Sequence, residues 1–233
     1  MNELGSAFST ASSLILGLDT ALVEIVSLSL RVSLVAVLIA SIIGLPGGAA
    51  LAVFKFPGRR GVVVMIGALM GLPPVVVGLA VYLALSRSGP FGVLDLLFTP
   101  TAMIIAQVVL ITPIVMALTR QIIETMWEDY AEQLRSLGAG PWRAIPTLLW
   151  DARHGLTTVV LAGFGRASAE VGAVMIVGGN INHATRVMTT AIALETSKGD
   201  LALAMGLGIV LMLLSLIINA AVHLIDDASA RRA

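Results

Sequence analysis

The residues that could do chemistry in this chain are few, and the clearest are two opposite charges inside an apolar stretch. The segment VVLAGFGRASAEVGAVMIVGGNI carries Arg166 and Glu170, four positions apart, and then Gly172. On a helix this spacing lets a guanidinium and a carboxylate neutralise each other. Because an isolated charge is costly inside a bilayer, the pair predicts either an ion pair that fixes helix packing or the polar lining or gate of a translocation path.

Catalysis is not indicated by these residues. An intramembrane enzyme needs a nucleophile with a base, or a metal-binding cluster, and one Arg–Glu pair is neither. His183 has no second histidine or carboxylate at a metal-binding spacing, so we interpret it as a surface residue. We therefore expect no catalytic residue, no metal site and no cofactor in this chain.

A second unusual segment is YAEQLRSLGAGPWRAIPTLLWDA, residues 130–152, which is half polar in an otherwise apolar chain. Asp129–Leu137 is predicted to be a short helix that stops at Gly138, because glycine takes the left-handed conformation that ends helices. Pro141 suits the first turn of the next helix. An apolar stripe at helical spacing runs along both helices; it consists of Tyr130, Leu134, Leu137, Trp142, Ile145 and Leu149.

Two interpretations fit this bent pair of amphipathic helices. It can fill a socket in a partner protein, or it can lie on the lipid headgroups. Amphipathicity alone does not decide between them.

The elements that must position these segments are membrane helices. The 233 residues are 58% hydrophobic and 12% charged, with a mean hydropathy of +0.99, which is too little charge for a water-facing surface. A span needs about 20 apolar residues, and five segments qualify, with prolines inside three of them that predict irregular helices. The spans are Val32–Phe54, Gly61–Ser86, Thr99–Thr119, Leu156–Gly178 and Leu201–Ile225.

The N-terminal stretch from Gly5 to Leu30 is weaker, because Asp19, Glu24 and several serines interrupt it. We expect a helix at the membrane interface followed by an extension of the first span, with a sixth span as the alternative. The formal net charge is zero, so nucleic acid is not an expected partner. No cleavable signal peptide is evident.

The distribution of Lys and Arg predicts the orientation. Nine of these residues lie in the two loops and the tail that share one side, whereas Arg87, Arg186 and Lys198 lie on the other. Positive residues remain in the cytoplasm, so the N-terminus is expected outside and the C-terminus inside. Residues 120–155 then form a cytoplasmic loop.

The order of residues in this loop resembles that of the permease subunits of ABC-type importers. Their cytoplasmic signature is Glu-Ala-Ala, three residues, Gly, nine residues and Ile-x-Leu-Pro. Here Glu132 stands six before Gly138 and Leu148 ten after it. Gln133 and Leu134 replace the two alanines, and Trp150–Asp151 replace Leu-Pro.

This resemblance implies that the loop is the coupling element, which docks in a cleft of a separate ATPase. The residues that it assigns to coupling are Tyr130, Ala131, Glu132, Leu134, Leu137, Gly138, Ala139 and Gly140. The chain has no GxxxxGK[ST] phosphate loop, so ATP and Mg²⁺ are expected in a partner ATPase dimer. The implied fold is all-α, a type I importer permease with five core spans in a single domain, 1–233.

The substrate is indicated by the segment from Phe164 to Asp200. FGRASAEVGAVMIVGGNI and TRVMTTAIALETSKGD are similar to the tungstate-importer permeases, relatives of the molybdate and sulfate permeases. This similarity implies an extracytoplasmic tungstate-binding protein that contacts Asn180–Lys198, a second copy of the chain, and a location in a prokaryotic inner membrane. The alternatives are a molybdate or sulfate permease and, in another class, an ATP-independent secondary transporter, for which inverted repeats would be expected.

Overall fold

The computed structural model describes Gly17 and residues 20–230, and the regular elements of that part of the chain are all helical. A short 3₁₀ turn, Gly92–Leu94, lies between the third and fourth α-helices. The α-helices, in chain order, are α1 Thr20–Val53, α2 Arg59–Met70, α3 Pro74–Leu85, α4 Pro100–Ser136, α5 Pro141–Asp151, α6 Arg153–Ser168, α7 Gly172–Gly178, α8 Met188–Lys198 and α9 Leu201–Ala230.

The five predicted spans correspond to three long helices and two bent pairs. Within the described residues, α1, α4 and α9 are each long and apolar enough to cross a membrane. The pairs α2–α3 and α6–α7 qualify when each is counted as one span, and they bend by 101° and 57°. The all-α class and the irregular helices are therefore confirmed.

The first span is longer than its predicted core. Helix α1 begins at Thr20 and runs without interruption to Val53, so the predicted extension of this span toward the N-terminus is confirmed. The rest of the expected interfacial helix, and the alternative of a sixth span, fall outside the described residues.

Helix α4 corrects the expectation that Thr99–Thr119 and Asp129–Leu137 are separate helices. Both belong to one helix of 37 residues. Residues 114–136 contain neither glycine nor proline, so nothing in the chain stops the helix until Gly138. At about 1.5 Å per residue its length is roughly 55 Å, well beyond a hydrocarbon core of about 30 Å. We call the end of the bundle that contains the C-terminus of α4 and the following helix α5 the α5 end.

The core is built on the contact between α1 and α4. A Cβ atom at Gly48 would lie 2.4 Å from the Met116 carbonyl oxygen, so only glycine permits this approach. A second close contact joins the bent pairs, because a Cβ at Gly78 of α3 would lie 2.7 Å from the Ala173 Cα of α7. Small residues at helix interfaces are typical of membrane bundles, where packing replaces the hydrophobic effect.

A charge cluster fixes the bent pair α2–α3 to this core near the α5 end. The Arg59 Nη2 donates to Glu124 Oε1 of α4 at 2.5 Å, and its Nε donates to the Leu51 carbonyl of α1 at 2.7 Å. Arg120 also pairs with Glu124. Arg59 thereby connects α1, α2 and α4, and it satisfies a carbonyl in the last turn of α1 that has no helical partner of its own.

Candidate functional site

The turn between α4 and α5 is the first part of the candidate site. Gly138 has a φ of +78°, and its N–H donates to the Arg135 carbonyl while that of Ala139 donates to the Leu134 carbonyl, both at 2.9 Å. These bonds satisfy carbonyls at the end of the helix. Pro141 then occupies the first turn of α5. The predicted stop at Gly138 and start at Pro141 are confirmed.

The two faces of α5 differ sharply. Ala144 and Leu148 are buried against the core, and Ile145 and Leu149 pack beside them. The opposite face carries Trp142, Pro146 and Trp150, four positions apart, and the two tryptophans are 77% and 72% exposed. We call these three residues and the neighbouring exposed Leu137 the tryptophan face.

The predicted apolar stripe is therefore wrong in part. On α5, Ile145 and Leu149 contact the protein's own core, whereas Trp142 points away from it. On α4, Leu134 packs inward because α5 folds back over it, while Tyr130 and Leu137 stay exposed. Of the other residues assigned to coupling, Ala131 and Ala139 are half-buried, and Glu132, Gly138 and Gly140 are exposed.

Sequence reasoning placed Trp142 in the apolar stripe but assigned neither tryptophan to coupling, although the four-residue spacing of Trp142, Pro146 and Trp150 on one helix face was a usable signal. Each ring contacts another side chain of the protein. The Trp142 ring lies 4.8 Å from that of Phe54, centroid to centroid, and the Arg153 guanidinium lies 5.3 Å from the centroid of Trp150. These contacts orient the rings and leave most of their surface open.

The second part of the site is the break between α6 and α7. Glu170 is only 3% exposed. Its Oε2 accepts from Arg166 Nη1 at 2.5 Å, and its Oε1 accepts from the Ala173 N–H at 3.0 Å. The Thr189 hydroxyl donates to the Glu170 carbonyl at 2.8 Å.

The predicted ion pair is thus present, but not on one continuous helix as expected. Helix α6 ends at Ser168, and Glu170 lies in the break, where its carboxylate satisfies a backbone donor at the start of α7. In a bilayer such a donor has no water to bind. A Cβ at Gly172 would lie 2.9 Å from Val75 Cγ2, so this glycine lets α3 approach the break.

No metal site is found among the described residues, where no three His, Cys, Asp or Glu side chains cluster. His183 is exposed, as expected of a surface residue, and its Nδ1 lies 2.7 Å from Glu24 Oε2 of α1. Sequence reasoning did not find this contact, because the two residues are 159 positions apart.

The described part of the chain is a bundle of apolar spans, two of them bent. An ion pair lies at one bend, and an exposed helical turn lies beyond the core. The chain belongs to the family of binding-protein-dependent transport system inner membrane components, whose model matches residues 36–233. Its fold is the type I importer permease fold. It is a multi-pass permease subunit of an ABC transporter, a class that acts with ATPase and binding-protein partners, and it is not itself an enzyme.

Three curated relatives are similar over most of their length. The tungstate uptake system permease protein TupB of Peptoclostridium acidaminophilum is 38% identical over 97% of this chain and 100% of its own. A probable anion ABC transporter permease protein of Haloferax volcanii is 40% identical over 86% of this chain and 89% of its own. TupB of Campylobacter jejuni is 39% identical over 73% of this chain and 71% of its own.

Replacing Glu170 by glutamine tests the ion pair. Glu170→Gln leaves the Arg166 charge without a counter-charge. We expect the free energy of unfolding to fall by about 2 kcal/mol. This decrease is smaller than for a fully buried pair because Arg166 is 31% exposed. The measurement is the apparent Tm of the purified protein in detergent. Glu195→Gln is the matched control, since Glu195 is also buried but its partner Lys198 is half exposed. Equal shifts in both variants would contradict a special role for the pair.

Proposed function

We propose that this chain forms the translocation path of an ATP-driven importer for tungstate. The observation that carries the proposal is the similarity to the TupB protein of Peptoclostridium acidaminophilum, which extends over 97% of this chain and over that entire protein. Tungstate, molybdate and sulfate are all tetrahedral dianions. The selection among them therefore belongs mainly to an extracytoplasmic binding protein, and a molybdate or sulfate permease is the alternative within the same class.

The tryptophan face and the Gly138 turn are our proposed docking element for the ATPase. Tryptophan is enriched where proteins bind each other, and here two tryptophan rings are exposed on a helix whose other face packs on the core. Glu132, also exposed, can meet basic groups of the partner. The chain lacks a phosphate loop, so ATP and Mg²⁺ would bind only to the partner subunits.

In this proposal the α5 end lies in the cytoplasm, in agreement with the positive residues in the loops on that side. The opposite end, with Asn180–Lys198, faces the binding protein. A second copy of the chain would complete the path. The groove beside Gly165, where a Cβ would meet no atom within 4 Å, is open to such a copy between α6 and the apolar face of α9.

The break at Arg166, Glu170 and Gly172 is the proposed gate. Closure of the ATPase dimer around ATP would move α5, and α4 would carry that movement into the core. The spans would then rock between inward-open and outward-open states, whose relative free energy ATP binding must change. Since Glu170 already neutralises Arg166, the gate would hold no strong anion site that slows release.

The glycine turn can be tested by Gly138→Val in the complex assembled with its ATPase. A β-branched residue is strained at a φ of +78°, so the turn must change and α5 must shift. We expect normal insertion in the membrane, retained basal ATP hydrolysis and loss of the stimulation by the loaded binding protein.

Gly61→Val is the matched control. Gly61 is exposed on helix α2, outside the residues assigned to coupling, and is not among the glycines with a positive φ. A Cβ there would meet no atom within 4 Å. Full stimulation in this variant is expected. Full stimulation in Gly138→Val as well would overturn the docking assignment.

Uptake by the reconstituted complex tests the function itself. Vesicles containing the permease, the ATPase and the binding protein should accumulate tungstate only with ATP, and excess molybdate or sulfate should compete poorly. If molybdate competed as well as unlabelled tungstate, the transporter would accept both oxyanions. Uptake without ATP would contradict the importer mechanism.

A further inference from the structure

An open groove runs between α1, α6 and α9 close to the α5 end. Its volume is about 800 Å³, within the range of roughly 300–1,000 Å³ that is usual for small-molecule sites. Most of the residues that line it are aliphatic, and two of them, Leu38 and Ile42 of α1, are 61% and 64% exposed. The described part of the chain therefore leaves an apolar surface uncovered here.

The two ends of this groove differ in polarity. Helix α6 begins with Arg153 at the α5 end and follows the groove as far as Leu161, a length of about 12 Å at 1.5 Å per residue. The end away from α5 is aliphatic, with Leu38, Val160 and Leu161, whereas the end near α5 carries the Arg153 guanidinium. A molecule with an anionic head and an apolar tail has the matching distribution of polarity.

The charge of Arg153 is available to such a head. The residue is half-buried, one of its N–H groups donates to the Trp150 carbonyl at 3.0 Å, and its guanidinium lies 5.3 Å from the centroid of the Trp150 ring. Among the described residues no carboxylate pairs with it. The planar fork of N–H donors of an arginine suits the oxygens of a phosphate.

The position of the groove selects the kind of molecule. Helices α1 and α9 are spans and α6 is part of a bent span, so the aliphatic end lies at the depth of lipid acyl chains. Basic residues at the ends of spans attract anionic headgroups. A second copy of the chain would present the same surface, and the residues that line the groove include no carboxylate. The groove of a second copy therefore offers Arg153 no counter-charge.

We propose that this groove binds one anionic phospholipid of the leaflet at the α5 end. Its phosphate would lie on the Arg153 guanidinium, and an acyl chain would cover Leu38 and Ile42. In the orientation proposed above this is the inner leaflet. The lipid would hold α1 against α6 directly beside α5. The proposal does not depend on the substrate or on the ATPase, so its failure would leave the importer assignment unaffected.

Native mass spectrometry of the purified full-length protein in detergent tests the site. Equal amounts of dioleoyl phosphatidylglycerol and dioleoyl phosphatidylcholine are added, and the first lipid retained per chain is identified. Both lipids have the same acyl chains, so a difference in retention reports the headgroup. We expect phosphatidylglycerol to be retained about fivefold more, the effect of one basic residue near an anionic headgroup. Equal retention of the two lipids would overturn the proposal.

A charge variant tests the role of the guanidinium. Arg153→Gln removes the charge and leaves the aliphatic lining in place, so the preference for phosphatidylglycerol should disappear. Arg143→Gln is the matched control, because Arg143 is exposed on α5 at the same end of the bundle and does not line the groove. The preference should persist in this control. An unchanged preference in Arg153→Gln would contradict the assignment of the phosphate to this residue.

A second variant tests the path of the acyl chain. Ile42→Trp places a large ring in the groove, and because Ile42 is mostly exposed the core is not disturbed. Retention of both lipids should fall several-fold. Leu34→Trp is the control, since Leu34 is 50% exposed on the same helix and lies outside the groove. Retention in Ile42→Trp equal to that in Leu34→Trp would show that the lipid does not occupy the groove.

Discussion

The structure depends on one constraint: a helix that breaks inside a bilayer must satisfy its own backbone polar groups, because no bulk water can do so. At the break between α6 and α7, side chains from three parts of the chain meet this requirement. The Glu170 carboxylate accepts from Ala173 N–H, Gln107 donates to the Ala167 carbonyl, and Thr189 donates to the Glu170 carbonyl. Arg166 in turn neutralises the carboxylate. The buried ion pair therefore has a structural reason to exist before any role in transport is considered.

Helix α4 joins this break to the proposed docking element. Gln107 lies near its start and the Gly138 turn just after its end, and the helix is continuous between them. A separation of about 30 residues corresponds to roughly 45 Å at 1.5 Å per residue. The close contact of α1 with α4 at Gly48 stiffens the same helix from one side. A displacement of α5 would thus be transmitted to the break by one continuous helix, α4, and not by a series of loops.

Much of the fold could be predicted because it depends on local signals. The lengths of the apolar segments predicted the five spans, and Gly138 and Pro141 predicted the turn. The spacing of Arg166 and Glu170 predicted the ion pair. The continuity of α4 was also set locally, by the absence of glycine and proline from residues 114–136, but the other predictions that failed depend on tertiary contacts. Which side of α5 is buried is decided by its packing on the core, which separates Trp142 from Ile145 and Leu149. The break at Glu170 likewise requires Gln107 and Thr189, residues that no local pattern connects to it.

The exposed side of α5 is our proposed docking surface for the ATPase, and crosslinking tests this role most directly. The chain has no native cysteine, so Thr147→Cys places a single thiol at an exposed position next to the tryptophan face. Thr158→Cys, at an exposed position on α6, is the control. In the assembled complex we expect a cysteine-specific crosslinker at position 147 to capture the ATPase subunit and one at position 158 to leave it free. Capture of the ATPase from neither position, with lipid headgroups labelled from position 147 instead, would show that α5 lies on the membrane surface and would contradict the docking assignment.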